Sequence, residues 1–103
     1  MTKYRAKKTN GYASKKEADR AFSLRILAGA GCITDLREQV VYELAPSVVI
    51  QGRKRPPLRY IADFVYRNDG KQVVEDVKGM ITPAYRIKRH LMKAIHGIDI
   101  YEF

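Results

Sequence analysis

Thiol chemistry is almost absent from this sequence: Cys32 is the only cysteine, so no disulfide can close within the chain. Neither a cysteine-based zinc cluster nor a redox pair can be built from one thiol, and a buried, inert side chain is the expectation for it. Long apolar runs are missing as well. Nothing approaches the ~20 residues that span a bilayer, and the first fifteen residues carry Lys3, Arg5, Lys7, Lys8 and Lys15 with no apolar signal core. A cytoplasmic protein is expected. Acids are scarce, eleven Asp and Glu against twenty Lys and Arg, which leaves a formal charge of +9. An excess of that sign steers a protein toward polyanions. An anionic membrane would call for a basic amphipathic helix with large apolar residues, or a lipidation signal, and the amino terminus has neither. Nucleic acid is therefore the expected partner, with no membrane contact.

What the 103 residues do hold is an ordinary globular balance, 46% hydrophobic and 30% charged. No repeat or low-complexity tract breaks it. One domain over residues 1–103 is expected, with a basic arm over residues 1–9. Ser14-Lys15-Lys16-Glu17 fits a capping box, and Ala18, Ala21, Phe22, Leu24 and Leu27 supply helical spacing until Gly29 and Gly31. Gln39 to Ile50 is rich in Val, Tyr and Ile and broken by Pro46, as expected of two short strands or one interrupted strand. Gly52 to Pro57 reads as an exposed loop in which Arg53, Lys54 and Arg55 meet phosphates.

From Arg59 to Arg67, Tyr60, Phe64 and Tyr66 alternate with Ile61, Asp63 and Val65 at strand period. Asn68-Asp69-Gly70-Lys71 is a strong hairpin signal, because Asp-Gly takes the positive φ angles of a type I′ turn. Gln72 to Lys78 returns as the partner. Thr82 and Pro83 open a second helix with an apolar stripe of Ala84, Ile87, Leu91, Ala94 and Ile95, closed by Gly97. Ile98 to Phe103 follows as a strand parallel to the one ending at Lys78. The fold class is α/β, a mixed sheet flanked by helices.

A two-residue turn at Asp69-Gly70 pairs Asn68 with Lys71 and Val65 with Val74, which sets Asp63 opposite Asp76. Facing like charges destabilise a sheet unless something offsets them. A divalent cation does so, since Mg²⁺ takes one or two carboxylates together with waters and phosphate oxygens. Period two brings Lys78 to the same face as Asp76. Solvated charges joined by a surface ion pair would be the blander reading of the same residues. Glu75 points to the opposite face, with Val73 and Val77, and a one-residue slip would exchange the two acids.

These residues resemble the PD-(D/E)XK nuclease superfamily, whose core runs α-β-β-β-α-β and whose signature is an Asp on one strand and Asp/Glu-x-Lys on the next. Asp63 matches the first acid and Asp76-Val77-Lys78 the second half; Ala62 stands where the superfamily label has Pro. More narrowly, Tyr4 to Lys8, Ser14 to Ala18, Tyr60 to Phe64 and Val74 to Gly79 look like a family of small phage and prophage endonuclease-like proteins. The resemblance implies a restriction-endonuclease-like fold and an Mg²⁺-dependent endodeoxyribonuclease, with Mn²⁺ as substitute. It also implies branched DNA as substrate, Holliday junctions first, a homodimer, and the host cytoplasm if the chain is phage-encoded. It places Glu17, beside Asp63, Asp76 and Lys78, among the catalytic residues, with Asp63, Asp76 and Glu17 as metal ligands. A capping-box Glu needs no further role, yet Glu17 shares a helix side with Ala21, Leu24 and Ala28.

Tyr85, Lys88 and Arg89 fall on the polar side of the second helix and are candidates for DNA contact. His90 and His96 do not share one helix face as a ligand pair would. Lys7, Lys8, Lys15, Lys16, Arg53, Lys54 and Arg55 read as phosphate contacts, which position DNA without reading its sequence. The rival expectations are a non-catalytic nucleic-acid-binding accessory protein and a sequence-nonspecific nicking nuclease.

Overall fold

The computed structural model describes residues 11–103, so the segment 1–9, with Lys7 and Lys8, lies outside the described residues. Along the chain come α1 (Lys15–Gly29), β1 (Thr34–Ala45), β2 (Val48–Ile50), β3 (Arg53–Arg55) and β4 (Leu58–Asn68). They are followed by β5 (Lys71–Asp76), α2 (Pro83–His96) and β6 (Ile100–Glu102). A mixed four-stranded sheet, ordered β1-β4-β5-β6, has α1 on one face and α2 on the other, while β2 and β3 form a separate ribbon. This is the α-β-β-β-α-β order expected from the sequence, with a ribbon inserted between the first two strands of the sheet.

Local chemistry explains most of these elements. Ser14 Oγ accepts the Glu17 amide at 3.1 Å, and Gly31 at φ 80° leads the chain out of α1. Asp69 and Gly70, at φ 53° and 76°, form the two-residue turn, and Asn68 pairs with Lys71, Val65 with Val74 and Phe64 with Glu75. Thr82 Oγ1 accepts the Tyr85 amide at 3.1 Å and Gly97 closes α2 at φ 68°. β6 runs parallel to β5, matching Val74 with Ile100 and Asp76 with Glu102.

Four expectations give way. Gly52 to Pro57 is not simply a loop: Gln51 and Gly52, at φ 51° and 77°, make a second tight turn, and Arg53 to Arg55 pairs back on Val48 to Ile50. Pro56-Pro57 ends that strand and does not prevent it. Cys32 is exposed, because the next residue, Ile33, takes the buried place beside α1. Phe22 and Leu27 point to solvent, since the inward side of α1 is held by Glu17, Ala18, Ala21 and Leu24. The stripe of α2 is rotated: Ile87 and Ile95 are exposed, and Tyr85 and Met92 are buried over Leu44, Tyr60, Ala62, Val65 and Val74. What a helix buries is decided by the surface it covers, and Tyr85 and Met92, two turns apart, fill that surface.

A fifth difference positions the site. In β4, Tyr60 and Ala62 pack toward α2, but Phe64 and Tyr66 pack toward α1, so the single alternation expected across Asp63 does not hold. β1 does the same, with Leu36 toward α1 and Val40 and Tyr42 toward α2. Pairing stays in step on both sides of the break, Glu38 with Phe64 and Val40 with Ala62. Both strands therefore turn over together at Gln39 and Asp63. Gln39 absorbs the change at φ 55°, a left-handed conformation that costs a non-glycine residue about 1 kcal/mol or more.

Candidate active site

Where the strands turn over, the β4–β5 ladder also opens. Its last rung is Phe64 with Glu75; at the next position the Val77 amide donates to Asp63 Oδ2 at 2.9 Å. The expected Asp63–Asp76 rung is thus replaced by a side chain capping the backbone, and both carboxylates line one open trough of ≈ 430 Å³. Glu17, Lys78, Tyr85 and Lys88 line it too, as do Arg59 and Tyr60.

Asp76 is nearly buried. Tyr60 donates its hydroxyl to Asp76 Oδ2 at 2.7 Å, and Lys78 Nζ lies 3.3 Å from the same oxygen. The ammonium also sits 3.9 Å from the centre of the Tyr85 ring, so it is held between a carboxylate and an aromatic face. β6 steadies the backbone beneath: the Phe103 amide donates to Asp76 O at 2.9 Å and the Lys78 amide to Phe103 O at 3.2 Å. Lys16 Nζ donates to Lys78 O at 3.0 Å from α1.

Glu17 arrives from the other face of the sheet because the strands turn over beside it. Its carboxylate receives Gln39 Nε2 at 3.2 Å, and the same amide lies 3.4 Å from Asp63 Oδ1. The Glu17 amide serves the helix cap and its buried carboxylate serves the trough, so the capping role and a site role are not exclusive. Glu75 is separated from this cluster. Completely buried on the α1 side, it accepts Arg20 Nε at 2.6 Å, Arg20 Nη2 at 3.0 Å and the Tyr66 hydroxyl at 2.7 Å. Arg20 in turn stacks 4.0 Å from the centre of the Phe103 ring.

Two of the acids gathered in this half-buried place, Asp63 and Glu17, hold protons more tightly than usual. Asp63 is pushed up to about 7, first by burial and then by its hydrogen-bonding proximity to Asp76, with the Val77 amide pulling the other way. Burial, then the charges of Asp76 and Glu38, raises Glu17. Burial and the Asp76 carboxylate hold the Tyr60 hydroxyl protonated well above the ordinary tyrosine range, which keeps it a donor.

The raised Asp63 value fixes a sign for stability. Asp63 titrates near 3.8 when unfolded and near 7 when folded, so the folded chain binds this proton more tightly. Its contribution is complete below the unfolded value and is lost as pH rises through 7. Discounted for the water that reaches a partly exposed carboxyl, it is worth ~1–2 kcal/mol. Without divalent metal, the wild-type melting temperature is expected to fall between pH 5 and 8 relative to that of Asp63→Asn, by roughly 5–10 °C. Parallel melting curves for the two proteins across that window would remove the proposed proton from Asp63.

The donor set suits a hydrated Mg²⁺ or Mn²⁺, which needs only one or two carboxylates and completes its shell with water and substrate oxygens. Asp63 and Asp76, whose proximity tightens a proton on Asp63, are the pair to hold it. Among the described residues no group of three or more His, Cys, Asp and Glu side chains is gathered closely enough to cage a metal. Glu17 is thus brought to the trough without completing such a cage.

Of the basic candidates, Lys88 lines the trough, and Lys16 reaches only the backbone carbonyl of Lys78 beside it. Tyr85 is buried and not on a polar side, because its hydroxyl turns inward to donate to Glu102 Oε2 at 2.7 Å. Arg89 pairs with the same oxygen at 2.8 Å. Lys15 pairs with Asp19 on the surface of α1, and Arg53, Lys54 and Arg55 are in the ribbon. Tyr60, Gln39, Arg59 and Arg20 were not among the sequence candidates. Tyr60 and Gln39 could be found only once the turnover of the strands was known.

The chain belongs to the DUF1064 family, described as a protein of unknown function, whose match covers residues 1–99. No curated protein matches the sequence. No helix among the described residues is long and apolar enough to cross a membrane.

Proposed function

We propose that this DUF1064 protein is a metal-dependent endodeoxyribonuclease of the PD-(D/E)XK type. The observation that carries the reading is the convergence of Asp63, Asp76 and Lys78 in one trough, with Glu17 turned into it from α1. The α-β-β-β-α-β order supports it, with Asp63 on β4, Asp76 at the end of β5 and Lys78 two residues beyond that end.

Asp63 and Asp76 would hold Mg²⁺ or Mn²⁺, which when bound supplies a Lewis acid for the scissile phosphate and a water of lowered pKa. The chain's own groups have separate tasks. Tyr60 fixes the Asp76 carboxylate by its short hydrogen bond, and the Val77 amide fixes Asp63. Gln39 ties Glu17 to Asp63 through one amide group. Lys78, held in place by Asp76 and the Tyr85 ring, places a positive charge where negative charge grows on the phosphorus oxygens. Arg59 and Lys88 line the same trough and can receive flanking phosphates.

Branched DNA, with four-way junctions first, and a homodimer are what the resemblance implies, and a cytoplasmic location belongs to the same proposal. The test is incubation of the wild-type chain with four-way, flapped and linear duplex DNA, with and without Mg²⁺. Metal-dependent cutting of any of them supports the reading, and preference for the four-way form supports junction resolution. DNA binding with no cutting in Mg²⁺ or Mn²⁺ replaces it with a non-catalytic accessory role.

A further inference from the structure

We infer that the β2–β3 ribbon is a DNA-reading arm that enters the major groove of a duplex beside the trough. The inference rests on the nuclease reading for its partner and adds to it a second contact, away from the acids.

The ribbon is built in an unusual way. Each of its rungs joins an aliphatic side chain to a cation: Val48 with Arg55, Val49 with Lys54 and Ile50 with Arg53. All six residues are exposed, with Val48, Val49 and Ile50 at 48, 69 and 51%. No core claims these aliphatics, and leaving three of them in water forgoes the gain that burial would bring. Among the described residues, none of the ion pairs uses Arg53, Lys54 or Arg55.

Charges on an edge strand, lysine above all, also discourage sheet-to-sheet aggregation, but that role alone does not account for a whole tract without acids. Residues 44–62 contain four cations, Arg53, Lys54, Arg55 and Arg59, and no acid. Such a tract suits a polyanion. A second copy of this chain, also at +9, is a poor match for it.

Shape selects the groove. The major groove of B-DNA, ~12 Å wide, admits a two-stranded ribbon, whereas the minor groove is ~6 Å wide. Inside it, cations reach guanine edges and phosphates, and aliphatic groups meet thymine methyls. The tight Gln51-Gly52 turn makes a narrow tip, and Pro46 and Pro56-Pro57 interrupt the ladder at the base. β3 leads directly into β4, which carries Asp63. At ~3.3 Å per residue Arg55 lies no more than ~26 Å from Asp63, within about 8 base pairs of the scissile phosphate.

The experiment combines duplex DNA binding at several salt concentrations with dimethyl sulfate footprinting of guanine N7, which faces the major groove. It is performed in the metal-free state, with cleavage in Mg²⁺ measured separately. Wild type is compared with Arg53→Ala/Lys54→Ala/Arg55→Ala and with Val48→Ser/Ile50→Ser, both altered only at exposed positions. Wild type is expected to protect N7 atoms within about 8 base pairs of the cut and to bind duplex RNA poorly, because the RNA major groove is too narrow. The cation variant is expected to bind at least ~10-fold more weakly, with a salt slope smaller by about three. The aliphatic variant is expected to lose N7 protection and several-fold affinity at an unchanged salt slope.

Bound wild type without N7 protection overturns the arm, as does an aliphatic variant that binds and protects like wild type. So does equal affinity for duplex RNA, or sedimentation showing copies that pair through the arm with no change in DNA affinity. A footprint without cutting leaves the arm standing and removes the nuclease reading; cutting without a footprint does the reverse.

Discussion

Changing Lys78 to alanine is expected to lower metal-dependent cleavage by about 10²–10³-fold, the usual effect of removing one fixed donor from developing negative charge. Affinity for uncut DNA should fall only by what one cation contributes. The reason lies in how Lys78 is held. Its ammonium is 3.3 Å from Asp76 Oδ2 and 3.9 Å from the Tyr85 ring, so its position is set before substrate arrives. Asp76→Asn should lose at least as much activity, since it removes a metal-holding charge while preserving an oxygen for Tyr60. The double variant should lose little more than the worse single one, because groups acting as a unit are not additive. Single-turnover cleavage with protein in excess, beside anisotropy titrations, separates chemistry from binding. Wild-type cleavage rates in either single variant would remove that residue from the proposed chemistry.

Arg20→Ala is expected to be the most destabilising substitution outside the trough, by about 3–5 kcal/mol, because it strands a completely buried carboxylate. For a chain of this size that lowers the melting temperature by more than ~12 °C. Glu75 now spends its oxygens on the Arg20 guanidinium and the Tyr66 hydroxyl. Removing both charges together, as Arg20→Met with Glu75→Met, should recover most of the loss, since a packed apolar pair can replace a buried ion pair at little cost. The functional consequence follows from spacing: Arg20 is one helical turn from Glu17, so the pair anchors the part of α1 that delivers Glu17. Thermal melts of the two proteins decide this; a wild-type melting temperature for Arg20→Ala would contradict a structural role for the pair.

Much of the framework was legible because local chemistry dictates it. Asp69-Gly70 favours positive φ at adjacent residues, which fixed the hairpin register through Phe64 and Glu75. Ser14, Thr82 and Pro83 announced the helix starts, and the crossover after β5 implied a parallel β6. The inward side of Glu17 also followed from its spacing with Ala21 and Leu24. Other features were hidden for a physical reason. A two-residue period identifies faces only while the pleat is regular, and the pleat turns over at Asp63.

The sequence by itself therefore determined the order of the helices and of the main-sheet strands, the hairpin that brings Asp63 and Asp76 near one another, and the net charge of +9. Those features depend on neighbours along the chain or on composition. Only the tertiary structure decided which face the side chains around Asp63 and along α2 meet. Gln39 and Asp63 reverse the strands together, letting Glu17 from one face and Tyr60 from the other reach the same trough. Packing over the sheet turned Tyr85 inward and Ile87 outward, and Arg20 came to neutralise Glu75 across many intervening residues. These outcomes depend on surfaces that exist only after distant segments have paired, so no local pattern could specify them.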